Sequence, residues 1–274
     1  MLRWIPDWVI YALVLGVVLW AIFSGGTDDA PPPPPEAIQQ EGAMLPPPTA
    51  FDERVLVQVT APKSGIGTAF AINDGGQWLT ARHVVEGCND VSLLVAPNQY
   101  TPARSVTISE QYDLALIETA TSPNPAPINT QNDLRIGSYG FHVGYPQGRP
   151  GEAASRLMAR SNLISRGRRS NSESVLAWAE TGRTRGLMGS LGGLSGGPVY
   201  DENGAVRGVI VAESARRGRI YTAAPEAVAE FIKSTGVETL GEQPREFSAA
   251  TYGKEADYAR RNLQVVKVAC SVDE

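Results

Sequence analysis

Metal-binding side chains are scarce in this sequence, which has two histidines and two cysteines among its 274 residues. Neither pair is spaced as metal ligands usually are, which argues against a zinc site. An excess of positive charge is also absent, because 24 Lys and Arg residues face 29 Asp and Glu residues and the formal net charge is −5. We therefore expect no metal, no cofactor and no nucleic-acid partner.

One unbroken apolar run lies near the N-terminus, at residues 8–23. With its flanking residues it is just long enough to cross a bilayer core of about 30 Å. A cleaved signal peptide is the alternative, but no clear small-x-small cleavage site follows, so we predict a transmembrane anchor over residues 1–25. Arg3 precedes the run and Asp28 and Asp29 follow it. The positive-inside rule then predicts a cytoplasmic N-terminus, with the rest of the chain on the far side.

A proline-rich stretch follows the apolar run. Residues 31–35 and 46–48 are all proline, and such a stretch tends toward an extended polyproline helix that cannot pack a core. We predict a semi-rigid linker over residues 26–50 that holds a folded domain away from the membrane. A ligand for a proline-binding module is the alternative, which the predicted location outside the cytoplasm disfavours.

Short β-prone runs separated by Gly, Pro and Asn dominate the sequence from residue 54 onward. Many short strands with turn signals, and no repeated alternation of strand and helix, predict an all-β barrel or sandwich. One helix is predicted after them, since Pro225 suits a first helical position and Gly236 a helix end. The runs predicted as strands are 54–60, 68–73, 78–81, 91–95, 113–118, 140–144, 155–165, 174–180, 198–201, 205–212 and 220–223.

A serine lies in a glycine-rich segment, residues 192–198, with the sequence GGLSGGP. Glycines permit backbone conformations with positive φ and close approach of a ligand to the main chain. The segment therefore predicts a sharp turn that exposes the Ser195 hydroxyl beside backbone N–H groups. A serine attacks a carbonyl only when a base removes its proton. A tight turn with an incidental serine is the alternative interpretation.

The candidate base is His83, in the segment TARH, and the candidate orienting carboxylate is Asp113, in DLAL. A histidine with its ordinary pKa of about 6.5 both takes and returns a proton near neutral pH. The alternative for Asp113 is an aspartate at a turn or strand start. The second histidine, His142, lies in a predicted strand, and we interpret it as structural.

In these three motifs and in their order along the chain, the sequence resembles the chymotrypsin-like (trypsin-like) serine proteases, especially the bacterial periplasmic heat-stress proteases. The order His, Asp, Ser differs from that of subtilisins and α/β-hydrolases. The resemblance implies a protease domain over residues 51–235, with two six-stranded antiparallel β-barrels, a C-terminal helix and an active-site cleft between the barrels. We expect the remaining residues, 236–274, to pack on this domain, with a strand over 265–268. This extension is too short for the peptide-binding domain that many of these proteases carry.

The resemblance also implies a role for each site residue. Ser195 is the implied nucleophile, His83 the general base and then acid, and Asp113 the acceptor for the other ring N–H. The backbone N–H groups of Gly193 and Ser195 are the implied oxyanion hole. The implied substrate is a polypeptide. The implied floor of the specificity pocket, near Gly189, has no carboxylate, so we expect a small or apolar side chain at the cut site.

Leu194 departs from the family pattern, which has an aspartate or a small polar residue at this position. Leucine cannot pair with an amine or accept a hydrogen bond, so packing or a ligand must hold the loop around Ser195. The glycine-rich approach over residues 186–193 leaves open a mobile loop that is misformed at rest. The corresponding alternatives for function are a catalytically inactive protease-fold protein that binds peptides or partners, and a structural anchor.

The two cysteines, Cys88 and Cys270, are expected to form one disulfide in an oxidising compartment, because an even count favours pairing. Two free, buried thiols are the alternative.

The predicted anchor and the resemblance to bacterial periplasmic proteases together predict the location of the protein. We expect a single-pass protein of the bacterial inner membrane whose catalytic domain faces the periplasm. Arginines cluster in three predicted loops, at 166–169, 183–185 and 216–219. They are solvated loop charges or, alternatively, a site for acidic substrates or lipid head groups.

Overall fold

The computed structural model describes residues 42–58, 61, 63–166, 171–241 and 244–273. The predicted anchor over residues 1–25 and the first part of the predicted linker lie outside these ranges. Within the ranges described, no helix combines the length and the apolar character that a membrane crossing requires.

Strands dominate the described part of the chain, as the sequence predicts. The strands are β1 (Glu53–Gln58), β2 (Gly65–Ala71), β3 (Gln77–Thr80), β4 (Asp90–Ala96), β5 (Gln99–Pro102), β6 (Ser105–Ile108), β7 (Ala115–Glu118), β8 (Tyr139–Gly144), β9 (Gly151–Arg166), β10 (Asn171–Arg183), β11 (Pro198–Tyr200), β12 (Val206–Ser214), β13 (Arg219–Ala223) and β14 (Val265–Ser271). The helices are α1 (Arg82–Val85), α2 (Pro225–Thr235) and α3 (Tyr252–Arg261). Two 3₁₀ turns lie at Pro146–Gly148 and Ala215–Arg217.

The first sheet has the strand order β5-β4-β14-β2-β3-β7-β6, and every neighbouring pair is antiparallel. The strand predicted over residues 265–268 is present as β14, and it lies between β4 and β2. The end of the chain therefore completes the sheet that the first half of the chain begins.

The second sheet has the order β1-β9-β10-β13-β12-β11-β8, and a further pairing of β8 with β9 closes six of its strands into a ring. These six strands are antiparallel, whereas β1 joins β9 in parallel. The two curled sheets agree with a double β-barrel. The ring of the second sheet has the predicted six strands, with β1 as a seventh strand outside the ring, whereas the first sheet has seven strands where six are predicted. The extra strands come from the two ends of the domain, β14 in the first sheet and β1 in the second.

One hydrophobic core joins the two sheets. Phe70 of β2 and Val209 of β12 belong to the same buried cluster, which also includes Phe231 of α2 and Tyr252 of α3. A second cluster fills the second barrel around Trp178. Helix α2 begins at Pro225 and ends at the left-handed Gly236, as predicted. Because the sheets pack directly on each other, residues carried by their facing ends can meet.

Candidate active site

His83 and Asp113 are brought together by two neighbouring strands. The end of β3 pairs with the start of β7, with Thr80 opposite Ala115. The chain enters α1 directly after β3, and Asp113 lies two residues before β7. As a result, the His83 ring Nδ1 lies 2.6 Å from Asp113 Oδ2, and the His83 backbone N–H donates to Asp113 Oδ1 at 2.9 Å.

The protonation of this pair follows from its surroundings. Burial raises the pKa of Asp113, but the positive charge of His83 and the hydrogen bonds that it donates outweigh burial, so the net shift is downward. Burial likewise lowers the pKa of His83, but the Asp113 charge and hydrogen bond raise it above its ordinary value. An ionised Asp113 requires the proton on Nδ1, which leaves Nε2 free to act as a base.

Ser195 lies in the loop before β11, next to the segment that leads into His83. The Thr68 N–H of β2 donates to the Ser195 carbonyl oxygen at 2.8 Å. A Cβ atom on Gly196 would lie 2.1 Å from the Thr68 carbonyl oxygen and 3.0 Å from the Ala81 nitrogen. Only glycine allows this approach, which brings the serine loop of the second barrel against the histidine segment of the first. The described part of the chain contains no hydrogen bond between the Ser195 hydroxyl and the His83 ring.

The backbone around Ser195 presents two unpaired donors. The Gly192 carbonyl oxygen accepts a hydrogen bond from the Gln147 N–H at 2.5 Å. Because the C=O and N–H of one peptide point in opposite directions, this contact turns the Gly193 N–H away from Gln147. Neither the Gly193 N–H nor the Ser195 N–H has a hydrogen-bond partner within the described ranges. Two such donors are what an oxyanion hole requires.

Packing holds the loop that carries these donors. Leu194 is 1% exposed and belongs to the core cluster of the second barrel, together with Leu191, Trp178 and Ile210. Its N–H donates to the Leu191 carbonyl oxygen at 2.9 Å. Of the two means of support that the sequence left open, packing or a ligand, the structure uses packing.

Side chains from other elements also hold the approach to the serine, and the sequence does not predict them. Gln147 donates to the carbonyl oxygens of Met188 and Ser190 at 2.7 and 2.9 Å. The Glu213 carboxylate accepts from the Leu191 N–H at 2.8 Å and from the Ser190 hydroxyl. Their partners are mainly backbone groups, which leave no signal in the sequence.

His142 and two of the clustered arginines have partners within the chain. His142 is fully buried in β8, Nε2 contacts the Ser155 hydroxyl at 2.7 Å, and burial lowers its pKa to about 3. Arg217 and Arg219 both pair with Glu53, at 3.1 and 2.8 Å. The expected bond between Cys88 and Cys270 is present and joins the turn after α1 to β14. The arginines at 168 and 169 lie outside the described residues.

Residues 67–209 match the family model of the trypsin-like peptidase domain, which is more than half of the chain. The chain belongs to the trypsin-like peptidase family. It therefore carries a serine-protease domain, and the matched segment includes His83, Asp113 and Ser195. The resemblance drawn from the three motifs is confirmed.

Relatives of this trypsin-like domain include bacterial proteases. The chain is 28% identical over 175 residues to a putative serine protease, HhoA, of Synechocystis sp., covering 63% of this chain and 43% of that protein. It is 21% identical over 145 residues to a probable periplasmic serine endoprotease, DegP-like, of Pseudomonas savastanoi pv. phaseolicola, covering 53% of this chain and 28% of that protein. The chain thus spans less than half the length of these curated relatives.

The fold is similar to that of the Rv3671c protease of M. tuberculosis in its active form. The TM-score is 0.52 at 18% identity, with 73% of this chain and 97% of that chain covered. The inactive form of the same protease gives a TM-score of 0.51 at 23% identity, with 62% and 84% covered. These likenesses concern the fold alone.

Proposed function

We propose that this chain is a membrane-anchored serine endopeptidase that hydrolyses peptide bonds in proteins outside the cytoplasm, with Ser195, His83 and Asp113 as its catalytic triad. The observation that carries the proposal is the contact of 2.6 Å between His83 Nδ1 and the buried Asp113 carboxylate, beside the serine loop. The His83 side chain is 38% exposed, so the ring is accessible to a substrate.

Acylation follows from these positions. His83 Nε2 takes the proton of the Ser195 hydroxyl as the oxygen attacks the substrate carbonyl carbon. The carbonyl oxygen becomes an oxyanion, and the N–H groups of Gly193 and Ser195 donate to it. Asp113 stabilises the imidazolium and fixes its orientation. His83 then gives its proton to the leaving amine as the C–N bond breaks, and an ester on Ser195 remains.

Deacylation repeats the sequence with water. His83 takes a proton from a water molecule that attacks the ester carbonyl, and the same two N–H groups hold the oxyanion. Collapse of this intermediate breaks the C–O bond, and the proton returns from His83 to Ser195. The products are an amine and a carboxylic acid, and no cofactor takes part.

Location outside the cytoplasm is proposed on three grounds. The apolar run over residues 8–23 has the length of a single span, a relative is described as periplasmic, and a disulfide suits an oxidising compartment. A reporter enzyme that is active only in the periplasm, fused to the C-terminus, should be active. A cytoplasmic reporter should be inactive at the same position.

The cut-site preference is proposed to be small or apolar. Gly189 has no side chain, and the Glu213 carboxylate is already engaged by Ser190 and Leu191. These two residues therefore provide no free carboxylate to attract a Lys or Arg side chain of the substrate.

Hydrolysis of an unfolded protein tests the activity. The full chain should cleave reduced, carboxymethylated casein, and Ser195→Ala should not, while both proteins unfold at the same temperature. Equal cleavage by both proteins would overturn the assignment of Ser195. The alternative of an inactive, peptide-binding protein rests on Leu194. Because Leu194 is packed in the core, and the neighbouring N–H groups of Gly193 and Ser195 are left unpaired within the described residues, an active enzyme is favoured.

A further inference from the structure

A second buried carboxylate lies behind Asp113. Both carboxylate oxygens of Glu173 lie 3.1 Å from the Asp113 backbone nitrogen and accept its N–H. Glu173 is 5% exposed and Asp113 is 8% exposed. Glu173 belongs to β10 in the second sheet, whereas Asp113 precedes β7 in the first sheet. The contact therefore crosses between the sheets and ends on the residue that orients His83.

A neighbouring contact fixes the same two segments. The Asn171 side-chain amide, two residues before Glu173 on β10, donates to the Gln111 carbonyl oxygen, two residues before Asp113. Residues two apart in a strand point to the same face. The first residues of β10 thus lie along residues 111–113 and hold this segment at two points.

The charges around Glu173 are few and identifiable. Burial raises its pKa to about 7, with the Asp113 charge adding to the shift, while the Asp113 hydrogen bond and the charges of Arg82 and His83 oppose it. The Tyr112 hydroxyl donates to Glu230 at 2.6 Å, and the Glu173 charge adds to the rise in the Tyr112 pKa that this bond causes. Arg82 is 5% exposed and also lies 3.6 Å from Glu86. The His83 ring therefore contacts the Asp113 carboxylate, and the Asp113 backbone in turn contacts the Glu173 carboxylate.

We propose that Glu173 is a positioning residue of the active site: it holds the Asp113 backbone from the second barrel and places a second titratable carboxylate behind the His83–Asp113 pair. The catalytic importance of this arrangement rests on the proposed function, whereas the electrostatic coupling of Glu173 to His83 does not. Within the described residues the hydrogen bonds of Glu173 go to the Asp113 backbone and not to Ser195, so we expect it to act through Asp113.

The titration of His83 tests the coupling without any need for activity. The chain has two histidines, and the pKa of His142 is about 3, so His83 is the ring expected to titrate between pH 5 and 9. In the full chain, histidine-labelled and in detergent micelles, NMR should show a broad His83 transition because Glu173 titrates in the same range. Glu173→Gln keeps an acceptor for the Asp113 N–H but removes the charge. It should sharpen the transition and lower its midpoint by about half a pH unit or more.

Labelling of Ser195 by a fluorophosphonate tests the positioning. The plateau rate, which is the labelling rate at the pH where it no longer changes with pH, should stay within about threefold in Glu173→Gln. It should fall roughly tenfold in Glu173→Ala, because this variant leaves the Asp113 N–H without its acceptor. Glu152→Gln is the matched control, because Glu152 is a buried carboxylate, 2% exposed, that binds Arg260 instead. It should change the unfolding temperature without moving the His83 midpoint or the plateau rate.

The outcomes separate the two claims. An unchanged His83 titration in folded Glu173→Gln would overturn the inference, whatever the labelling shows. An unchanged plateau rate in folded Glu173→Ala would likewise overturn the positioning role. A shifted titration with no labelling of the unsubstituted protein would overturn the proposed function and support the coupling.

Discussion

The Asp113 carboxylate accepts two hydrogen bonds from His83, one from ring Nδ1 at 2.6 Å and one from the backbone N–H at 2.9 Å. The two contacts fix the carboxylate against both the ring and the main chain of the residue that it orients. The ring can therefore turn little while Nδ1 remains bonded, and Nε2 is left available as a base. This relation is the physical basis of the predictions about catalysis.

Asp113→Asn should abolish most of the activity without unfolding the protein. The amide still has an oxygen that can accept the His83 backbone N–H, but it loses the charge that stabilises the imidazolium and can select the wrong ring tautomer. We expect a loss on the order of 10⁴-fold in the rate of fluorophosphonate labelling. The exposed Asp74→Asn is the matched control and should label normally. A rate within tenfold of the unsubstituted protein would contradict the role of Asp113.

The rate of fluorophosphonate labelling should fall as the pH is lowered, with a midpoint above the ordinary histidine pKa of about 6.5. His83 acts as a base only when neutral, and its pKa is raised in the folded protein. Activity is therefore lost as the pH falls through that raised value. Rates measured from pH 5 to 9 should show this decrease, and a midpoint below pH 6 would contradict the electrostatic account.

Gly193→Ala should displace one oxyanion donor. Gly193 has φ of +98°, and a Cβ atom there would lie 2.5 Å from the Tyr145 carbonyl oxygen. We expect labelling to fall by about 10²- to 10³-fold, the usual cost of losing one donor. Gly236→Ala at the end of α2 is the control, since Gly236 also has a positive φ but nothing lies within 4 Å of its Cβ position. Equal rates in the two variants would contradict the role of Gly193.

Leu194→Ala should destabilise the second barrel. Leu194 is 1% exposed in an apolar cluster, and removing such a side chain from a core costs about 2–5 kcal/mol. The exposed Leu240→Ala, at 51% exposure, should cost less than about 0.5 kcal/mol. Denaturant unfolding measures both values, and an unchanged midpoint for Leu194→Ala would contradict support of the loop by packing.

Replacing both Cys88 and Cys270 by serine should lower the unfolding temperature. The bond links residues 182 apart in sequence, and closing a loop of that length contributes up to about 5 kcal/mol in the chain-entropy model. Thermal unfolding with and without reductant measures the effect. Reductant should not change the unfolding temperature of the double variant. An unsubstituted protein with the same unfolding temperature in the presence and absence of reductant would contradict this prediction.

The sequence predicts most of the central strands because they carry β-branched and apolar residues between clear turn signals. It does not predict β5 and β6, which lie at the two edges of the first sheet and are largely exposed or half-buried. Backbone pairing rather than a buried apolar face stabilises such strands, so they have no strong hydrophobic pattern.

Helix α3 is missed for a different reason. Its buried side chains include the charged Asp257 and Arg260, which pair with each other at 2.6 Å, while Arg260 also binds Glu152 at 2.7 Å. A polar sequence is buried here because partners distant in sequence neutralise it. The same applies to Glu173, whose partner, Asp113, is brought to it only by the packing of the two sheets.

The resemblance of the motifs to those of the protease family predicts the contact between His83 and Asp113 better than composition predicts the loop around Ser195. The two residues flank neighbouring strands, so local pairing is enough to join them. The conformation of the serine loop depends on Leu194, Gln147 and Glu213, which belong to different elements. Tertiary packing decides it, and the sequence left its resting state open.

Covalent labelling of the full chain by a fluorophosphonate, mapped by peptide mass spectrometry, tests the central claim most directly. The reagent modifies a serine only when a neighbouring base and oxyanion donors activate it. One adduct is expected on Ser195, lost in His83→Ala and in Ser195→Ala, with the exposed Ser234→Ala of α2 as a labelled control. Absence of an adduct in the folded, unsubstituted protein, or an adduct that persists in His83→Ala, would contradict it.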